Sequence, residues 1–196
     1  IIFAPHHTID FENKKNYFST FLKFADDFIN LSIKYKNKID FCFKPHPGLK
    51  TKLYHHKDWG YKKTNDFFNY WSQGDNTILS EADYKELFIE SDALILDSVS
   101  FAAEYLYLEK PYCFLTKDNF DYNSSLNEIG QKIFKIINKS NDIYSVETFI
   151  ENSVLKVDKK KLNEQKKILN DLNFLNKNNK MVDENIFNFI EKSILC

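Results

Sequence analysis

The sequence predicts an α/β protein in which a parallel sheet is flanked by helices on both faces. Apolar runs of strand length alternate with stretches of helical periodicity along most of the chain. Four glycines and four prolines are too few for a turn-rich sandwich or barrel. With 43% hydrophobic and 28% charged residues, the 196-residue chain has the composition of a globular domain. Strands that alternate with helices form right-handed βαβ units, and hence a parallel sheet.

Three strands and two helices are expected in the first half of the chain. The first four residues are apolar and end at Pro5, as in a buried strand. The segment DFCFK is also strand-like and stops at the breaker sequence PHPG. Residues 49–75 are predicted to form a loop followed by a helix. The predicted strands are 1–4, 40–44 and 77–79, and the predicted helices are 17–36 and 64–71.

The alternation is plainer in the second half of the chain. The segment ALIL is typical of a strand buried on both faces, and Asp97 and Ser98 follow it directly. Asp83, with Glu86 three residues later, is typical of a helix start. We interpret residues 1–155 as one lobe and residues 156–196 as helices that pack on it or extend from it. The predicted helices are 83–89, 100–108, 142–153, 159–172 and 181–194, and the predicted strands are 93–96, 111–115 and 133–137.

The charge of the chain excludes nucleic acid as an expected partner. The 27 basic and 28 acidic residues leave a net charge of −1, so no broad positive field is available. Every one of the 27 basic residues is a lysine. An anion site must therefore use lysine, histidine, hydroxyl or backbone N–H groups, since no guanidinium is present. We interpret the lysine run at 159–161 as a solvated helix face, with peripheral contact to the inner face of the plasma membrane as the alternative.

Cysteine usage indicates a reducing compartment. Cys42, Cys113 and Cys196 have no paired spacing, and the first two lie in apolar runs where a buried thiol is ordinary. No apolar run reaches the length of a transmembrane helix, and no signal peptide is recognisable. We therefore expect a cytoplasmic protein. The strand-like opening IIFAP indicates a piece of a longer chain.

The first candidate site begins where the ALIL strand ends. Ligands of open α/β sheets bind at the carboxyl ends of strands, and the next helix offers unpaired N–H groups to a phosphate. Asp97 stands at this strand end, and Ser98 and Ser100 add hydroxyl donors. Glu104 follows Ser100 by about one turn and could accept hydrogen bonds from ribose. The alternative is that one serine only caps the helix and that Glu104 is a surface residue.

The second candidate site is the segment KPHP at residues 44–47. Prolines on both sides of His46 restrict its backbone and hold it at the end of a strand. A histidine so placed could donate to a phosphate oxygen or act as a general acid or base. Lys44 could add positive charge nearby, although strand alternation could also point it away. The alternative is a turn histidine without a functional role.

The third candidate site is the pair His6 and His7, which follows the first strand. Adjacent side chains point in different directions, so we expect at most one of the two rings to face a ligand. No spacing of histidines and cysteines matches a zinc site, so no metal is predicted. Glycine-rich dinucleotide and P-loop motifs and the Gly-x-Ser-x-Gly elbow are also missing from the sequence.

Two segments, KPHP at 44–47 and residues 84–115, resemble the CDP-glycerol glycerophosphotransferase family, whose members build teichoic-acid-like polymers and capsules. Members carry His-Pro after one strand, then Ser-Asp, an Asp-x-x-Ser after an apolar run, and Lys-Pro before the next strand. The clearest match covers 84–115 and the KPHP segment, and a looser one runs from residue 1 to 115. The matching residues are His46-Pro47, Ser91-Asp92, Asp97, Ser98, Ser100 and Lys110-Pro111.

The resemblance implies a GT-B fold, in which two Rossmann-like lobes enclose the site and the C-terminal lobe holds the nucleotide donor. This chain resembles that C-terminal lobe, so an N-terminal lobe is an expected partner. The implied reaction passes glycerophosphate, or a related phosphoryl unit, from a CDP-activated donor such as CDP-glycerol to a glycan acceptor, without a cofactor. His46 is then the expected catalytic residue. The donor phosphates are expected at Ser98, Ser100, Asp97 and Lys44, and the ribose or base at Glu104, His6 and His7.

Other functions stay open at this point. The end of the motif also resembles UDP-GlcNAc 2-epimerases and related GT-B glycosyltransferases, which carry glycines where this chain has Val99 and Ser100. Capsule enzymes that use CMP-Kdo share Lys-Pro-His-Pro, which favours a cytidine nucleotide. A third hypothesis is a non-catalytic lobe that docks within a larger assembly through the aromatic residues between Tyr54 and Trp71.

Overall fold

A six-stranded parallel sheet forms the centre of the molecule. The computed structural model describes residues 1–9, 18–118, 121–156, 159–172 and 182–194. The strands are β1 (Ile2–Ala4), β2 (Phe41–Phe43), β3 (Thr77–Leu79), β4 (Leu94–Leu96), β5 (Tyr112–Leu115) and β6 (Asn138–Ser140). Their order is β3-β2-β1-β4-β5-β6, and every pair is parallel. The predicted α/β fold is confirmed.

Helices connect the strands and cover both faces of the sheet. A 3₁₀ turn extends α5 over Leu106–Leu108, and a π-helical turn extends α8 over Ile150–Val154. The α-helices are α1 (Phe21–Lys34), α2 (Leu49–His55), α3 (Gly60–Gln73), α4 (Lys85–Glu90), α5 (Val99–Tyr105), α6 (Tyr122–Ser125), α7 (Glu128–Ile136), α8 (Ile143–Phe149), α9 (Lys159–Leu172) and α10 (Val182–Ile194).

Strand alternation divides the apolar side chains between two cores. In β1, Phe3 belongs to the core under α1, α3 and α8, while Ile2 and Ala4 belong to the core under α5 and α7. The first core is largely aromatic: Phe3 stacks on Phe28 of α1 with ring centroids 3.7 Å apart. Because both faces are buried, the central strands β1, β2, β4 and β5 read as continuous apolar runs, as the sequence predicted.

The region 49–75 differs from the prediction of a loop and one short helix. It forms two helices, α2 and α3, which turn at Gly60, where φ is +64°. The ring of Trp71 is fully buried, Phe67 and Phe68 pack beside it, and Trp59 lies half-buried against the same core. These aromatics therefore hold α3 against the sheet. The docking hypothesis loses most of the exposed aromatic surface that motivated it, although Tyr61 is 63% exposed and stacks on Tyr54.

The strand predicted at 133–137 is wrong. Those residues end helix α7, which buries Ile133 and packs Phe134 on Tyr122, with ring centroids 5.0 Å apart. The last strand is instead β6, whose sequence is Asn-Lys-Ser. An edge strand pairs with one neighbour only and exposes one side to water, so a polar sequence suffices there. The apolar run at 133–137 has strand-like composition, but it is the end of α7, and the strand follows directly after it.

The C-terminal helices follow the predicted positions. Helix α9 packs on α7 and on the 3₁₀ turn, and it buries Leu169 and Gln165. Helix α10 begins at Val182, where the prediction had placed its start one residue earlier, at a position outside the described residues. Cys196 also lies outside them. Among the described helices, none combines the length and apolarity needed to cross a bilayer.

Candidate functional site

The three predicted motifs lie at neighbouring strand ends. Strand β1 pairs with β2 on one side and with β4 on the other, so the segments that leave these strands start side by side. The N–H of Lys44 donates to Phe3 O at 2.8 Å, and the N–H of His46 donates to Pro5 O at 3.2 Å. The strand order reverses between β1 and β4. In open α/β sheets this reversal opens the crevice that binds ligands.

Three histidine rings come together at this edge. The ring centroids of His6 and His7 are 4.3 Å apart, those of His6 and His46 5.2 Å, and those of His7 and His46 3.9 Å. The chain bends at His7, and both rings of the adjacent pair lie beside His46. That at most one of them faces a ligand stays a prediction. We call His6, His7 and His46 the histidine cluster.

The surroundings of the cluster favour neutral imidazoles. Burial, together with the positive charges of His7, His46 and Lys52, lowers the pKa of His6 to about 4. Burial, together with Lys44 and Lys52, also lowers the pKa of His46. A bound anion would reverse this balance, because it would stabilise the protonated rings. The cluster is therefore suited to take up a proton when a negatively charged ligand arrives.

One hydrogen bond sets the orientation of His46. The N–H of Gly48 donates to His46 Nδ1 at 3.0 Å, so in the neutral ring the proton sits on Nε2. The His46 side chain is exposed, which leaves this N–H available to a ligand. His6 Nδ1 bonds Thr8 Oγ1 at 2.9 Å, which fixes a second ring of the cluster.

The cluster suits an anion better than a metal ion. Its candidate ligand atoms all lie within 4.8 Å of one another, so one small ligand could meet all three rings. His7 and His46 overlap at 3.9 Å, and Nδ1 of His46 already accepts a hydrogen bond. Lys44 and Lys52 add positive charge beside the rings. The ring overlap, the hydrogen bond at Nδ1 and the two lysines oppose a bound cation and favour a bound phosphate.

Asp97 occupies a different place from the phosphate contact that was expected. Its carboxylate is fully buried and accepts hydrogen bonds from the N–H of His6 at 2.5 Å, the N–H of Thr20 at 2.5 Å and the hydroxyl of Thr20 at 3.0 Å. Burial raises the pKa of Asp97 to about 6, although these hydrogen bonds oppose the rise. Asp97 therefore fastens the His6 loop and the start of α1 to the end of β4, and it is a positioning residue.

Ser98 and Ser100 lie at the start of α5. Ser98 takes the N-cap position, with extended backbone angles, but its side chain makes no capping hydrogen bond. Its hydroxyl instead meets that of Ser100 at 3.1 Å. The Ser98 side chain therefore does not cap the helix. Both hydroxyls lie near the end of β4, next to Asp97 in the sequence.

Lys44 is largely buried, with 6% of its surface exposed. Burial lowers its pKa, while Cys42, Glu81 and Asp83 raise it. Among the described residues it forms no ion pair or hydrogen bond through its side chain. Its charge nevertheless reaches His46, whose pKa it lowers. Lys44 therefore acts on the histidine cluster through its field, and its direct contact with a donor phosphate stays a prediction.

Glu104 is exposed and lies further along α5. It accepts a hydrogen bond from the hydroxyl of Tyr84 at 2.6 Å, and this bond raises the pKa of Tyr84. The contact ties the segment before α4 to α5, and no described hydrogen bond joins Glu104 to the histidine cluster. Its predicted role toward ribose stays a prediction.

Sequence reasoning missed several polar residues at this edge. Ser19 and Thr20 are buried at the start of α1, and Thr20 bonds the Asp97 carboxylate. Lys117 follows β5; burial lowers its pKa to about 8, and Asp97 opposes that shift. A lysine directly after a strand in the sequence FLTK was the signal for Lys117. Nothing in the sequence marked Ser19 or Thr20, because only the fold brings α1 to Asp97.

Ser91 and Lys110, which belong to the family-like motif at 84–115, have a structural role. Lys110 Nζ donates to the carbonyl oxygens of Phe88, Ile89 and Ser91 at the end of α4, at 3.3, 2.5 and 2.5 Å. The hydroxyl of Ser91 bonds Phe88 O at 2.9 Å and meets that of Tyr105 at 2.8 Å. Ser91 and Lys110 thus satisfy the open carbonyls of a helix end, away from the site.

Comparison with known proteins gives a family and a related fold. No curated protein matches the chain significantly. The solved structure of a variant of the wall teichoic acid polymerase TagF matches with a TM-score of 0.56 and 20% sequence identity. The match covers 86% of this chain and 38% of the TagF chain, so this chain spans well under half of that polymerase. The family described as CDP-glycerol:poly(glycerophosphate) glycerophosphotransferase matches residues 1–192. The chain belongs to this glycerophosphotransferase family.

Proposed function

We propose that this chain binds the diphosphate of a CDP-activated donor, such as CDP-glycerol, where β2, β1 and β4 end. The observation that carries the proposal is the convergence of the histidine cluster on the strand-order reversal, in a glycerophosphotransferase family member. Imidazoles and lysines are the cationic groups of a chain that has no arginine. They give this edge the charge that a diphosphate needs.

In the proposed reaction an acceptor hydroxyl attacks the phosphorus that carries the glycerol. A P–O bond forms to the acceptor oxygen, the bond from that phosphorus to the bridging oxygen breaks, and CMP leaves with the bridging oxygen. His46 donates its Nε2–H to the diphosphate, and as an imidazolium it stabilises the charge that develops on the leaving phosphate. The proton of the attacking hydroxyl passes to a base in an N-terminal lobe. No redox cofactor is needed.

The other predicted residues surround this step. The hydroxyls of Ser98 and Ser100 donate to phosphate oxygens from the end of β4, and Lys44 adds charge from beneath His46. His6 lies beside His46, within reach of the same anion. Glu104 and Tyr84 form a hydrogen-bonded pair that receives the ribose. The acceptor is a growing polymer or glycan on the cytoplasmic side, where the exposed Lys159 and Lys160 would face a membrane surface. Lys161 instead donates to Ile136 O and pairs with Glu164.

Calorimetric titration with CDP-glycerol, CDP and CMP tests the proposal. His46→Gln and Ser98→Ala should each weaken the binding of CDP-glycerol about tenfold, which is about 1.4 kcal/mol. Lys38→Met is the matched control, because Lys38 precedes β2 and lies at the opposite, amino-terminal edge of the sheet. The proposal fails if no cytidine nucleotide releases or absorbs heat, or if both variants bind like the unmodified protein.

The same titration separates this function from its relatives. UDP and GDP should bind at least tenfold more weakly than CDP, a difference that thermal unfolding also detects as a smaller stabilisation. Tighter binding of UDP would instead point to a glycosyltransferase or a UDP-GlcNAc 2-epimerase-like enzyme.

A further inference from the structure

A pocket lies beside Thr20, whose N–H and hydroxyl donate to the Asp97 carboxylate. Its volume is about 240 Å³. It opens between the start of α1 and the segment that follows β5. The pocket is lined by Ser19, Thr20, Leu22, Lys23, Lys117 and Asp118.

Asp97 joins this pocket to the histidine cluster. One carboxylate oxygen accepts from the N–H of His6, and the other accepts from the N–H and hydroxyl of Thr20. A single buried side chain therefore links the backbone of His6 to Thr20 in the wall of the pocket. The two sites therefore share Asp97 as a common support at the carboxyl edge of the sheet.

The polar groups of the pocket are arranged as pairs of opposite charge. Lys23 Nζ lies 3.6 Å from a carboxylate oxygen of Asp118, and Asn141 Nδ2 donates to the other oxygen at 3.2 Å. The Asp97 carboxylate stabilises the charge of Lys117. The pocket is therefore close to neutral, yet its walls offer ammonium donors beside carboxylate and hydroxyl acceptors.

This chemistry matches hydroxyl groups, which donate and accept at the same atom. A phosphate would meet Asp118 and Asp97 unfavourably, and an apolar group would make no use of the donors and acceptors in the walls. The volume also excludes a whole nucleotide, since pockets for ligands of that size have about 300–1,000 Å³. A polyol of a few carbons fits both the volume and the pattern of donors and acceptors.

We propose that the pocket holds the polyol that the donor carries, with Lys117 and Asp118 as the residues that recognise its hydroxyls. This inference rests on the proposed function, because the diphosphate at the histidine cluster places the polyol here. Lys117 and Asp118 then distinguish a donor with a polyol from the bare nucleotide, and they are specificity residues.

Titration of two ligands against two variants tests the pocket. CDP-glycerol and CDP are each titrated into the unmodified protein, Lys117→Met and Asp118→Asn, with Lys38→Met as the control. Both variants should bind CDP-glycerol about tenfold more weakly, while CDP binding changes by less than about twofold. Thermal unfolding reports whether each variant is folded. If Lys117→Met does not fold, the exposed Asp118 still provides the comparison.

The outcomes separate the two proposals. An equal loss of CDP-glycerol and CDP in either folded variant would place the residue at the phosphates and overturn the polyol pocket. Unchanged binding of CDP-glycerol in the folded variants would overturn it too, while binding of CDP to the unmodified protein would leave the diphosphate site standing. Failure of both ligands to bind the unmodified protein would remove the proposed function and the pocket with it.

Discussion

The protonation state of His46 depends on whether an anionic ligand is bound beside it. Its pKa is lowered by burial and by Lys44 and Lys52, so the ring is held in the neutral state without an anion. A diphosphate beside Nε2 supplies negative charge and favours the imidazolium. Lys44 and Lys52, which lower the pKa of His46, also attract the anion whose charge would raise it.

We therefore expect the pKa of His46 to rise when CDP binds. Proton titration of the imidazole resonances by NMR, with and without saturating CDP, measures the change. The resonance of His55, at the C-terminal end of α2, should not shift when the nucleotide binds. Its ring is hydrogen-bonded to the Thr51 carbonyl. An identical His46 titration with and without CDP would show that this ring does not meet the phosphates.

Asp97 should leave a recognisable signature in the pH dependence of stability. Its pKa is raised from 3.8 to about 6 in the folded protein, so the folded state binds more protons between pH 4 and 6. Its contribution to stability is therefore present below pH 4 and is lost as the pH rises through 6. His6 works in the opposite direction, because its pKa is lowered to about 4 and its contribution is lost as the pH falls.

The variant Asp97→Asn separates these two effects. Relative to this variant, the unmodified protein should lose on the order of 3 kcal/mol of unfolding free energy between pH 4 and 7. Urea unfolding at intervals of pH measures the difference. Parallel curves for the two proteins would mean that the carboxylate titrates at its usual pH and that its burial has no such cost.

The sequence predicted which residues lie at the strand ends, but it did not predict where their side chains point. Pro-flanked His46 and the Asp97-Ser98 pair were predicted at the ligand edge, and the fold puts them two strands apart on it. That Asp97 points inward toward Thr20 depends on where α1 starts, which no local pattern gives. The meeting of His6 with His7 and His46 depends on a bend at His7, again a tertiary feature.

At the scale of elements, helix α4 shows how a motif can serve the scaffold. It has six residues, which is too short to be stable alone, and its C-terminal carbonyls are held by Lys110 from the start of β5. The cation also meets the negative end of the helix dipole. The strand after α4 is β4, so this cap helps to place the Ser98 end of the site.

Lys110→Met should lower the unfolding free energy by about 2 kcal/mol, because three carbonyl contacts are lost. Lys85→Met, at the exposed first residue of the same helix, should change it by less than about 0.5 kcal/mol. Urea unfolding measures both, and CDP affinity should be unchanged in each. Loss of CDP affinity in a Lys110→Met protein of normal stability would instead make Lys110 a ligand contact.

Element positions were predictable where apolar periodicity and breakers agreed, as for α1, β2 and β4. They were not predictable where the same apolar pattern is compatible with a strand and with a helix, or where no clear period was present. The run at 133–137 is apolar enough for a strand, but its burial against Tyr122 and Phe114 holds it as the end of α7. Residues 49–59 carried no clear period, and α2 is held by Leu49 and Leu53 in the core.

At the scale of the whole molecule, the strand order decides where chemistry can occur. The connections from β1 and β2 run toward β3 and those from β4 and β5 run toward β6, so the loops part between β1 and β4. His6 flanks this crevice from β1, and Ser98 flanks it from β4. The histidine cluster, Asp97 and the pocket at Lys117 therefore form a continuous line across the carboxyl edge.

A crystal structure of the protein with CDP bound tests this account most directly. The account predicts the diphosphate between the ends of β1 and β4, with an oxygen within hydrogen-bond distance of His46 Nε2 and another near the Ser98 hydroxyl. A nucleotide found elsewhere, such as in the apolar cavity of about 490 Å³ between α5 and α7, would contradict it.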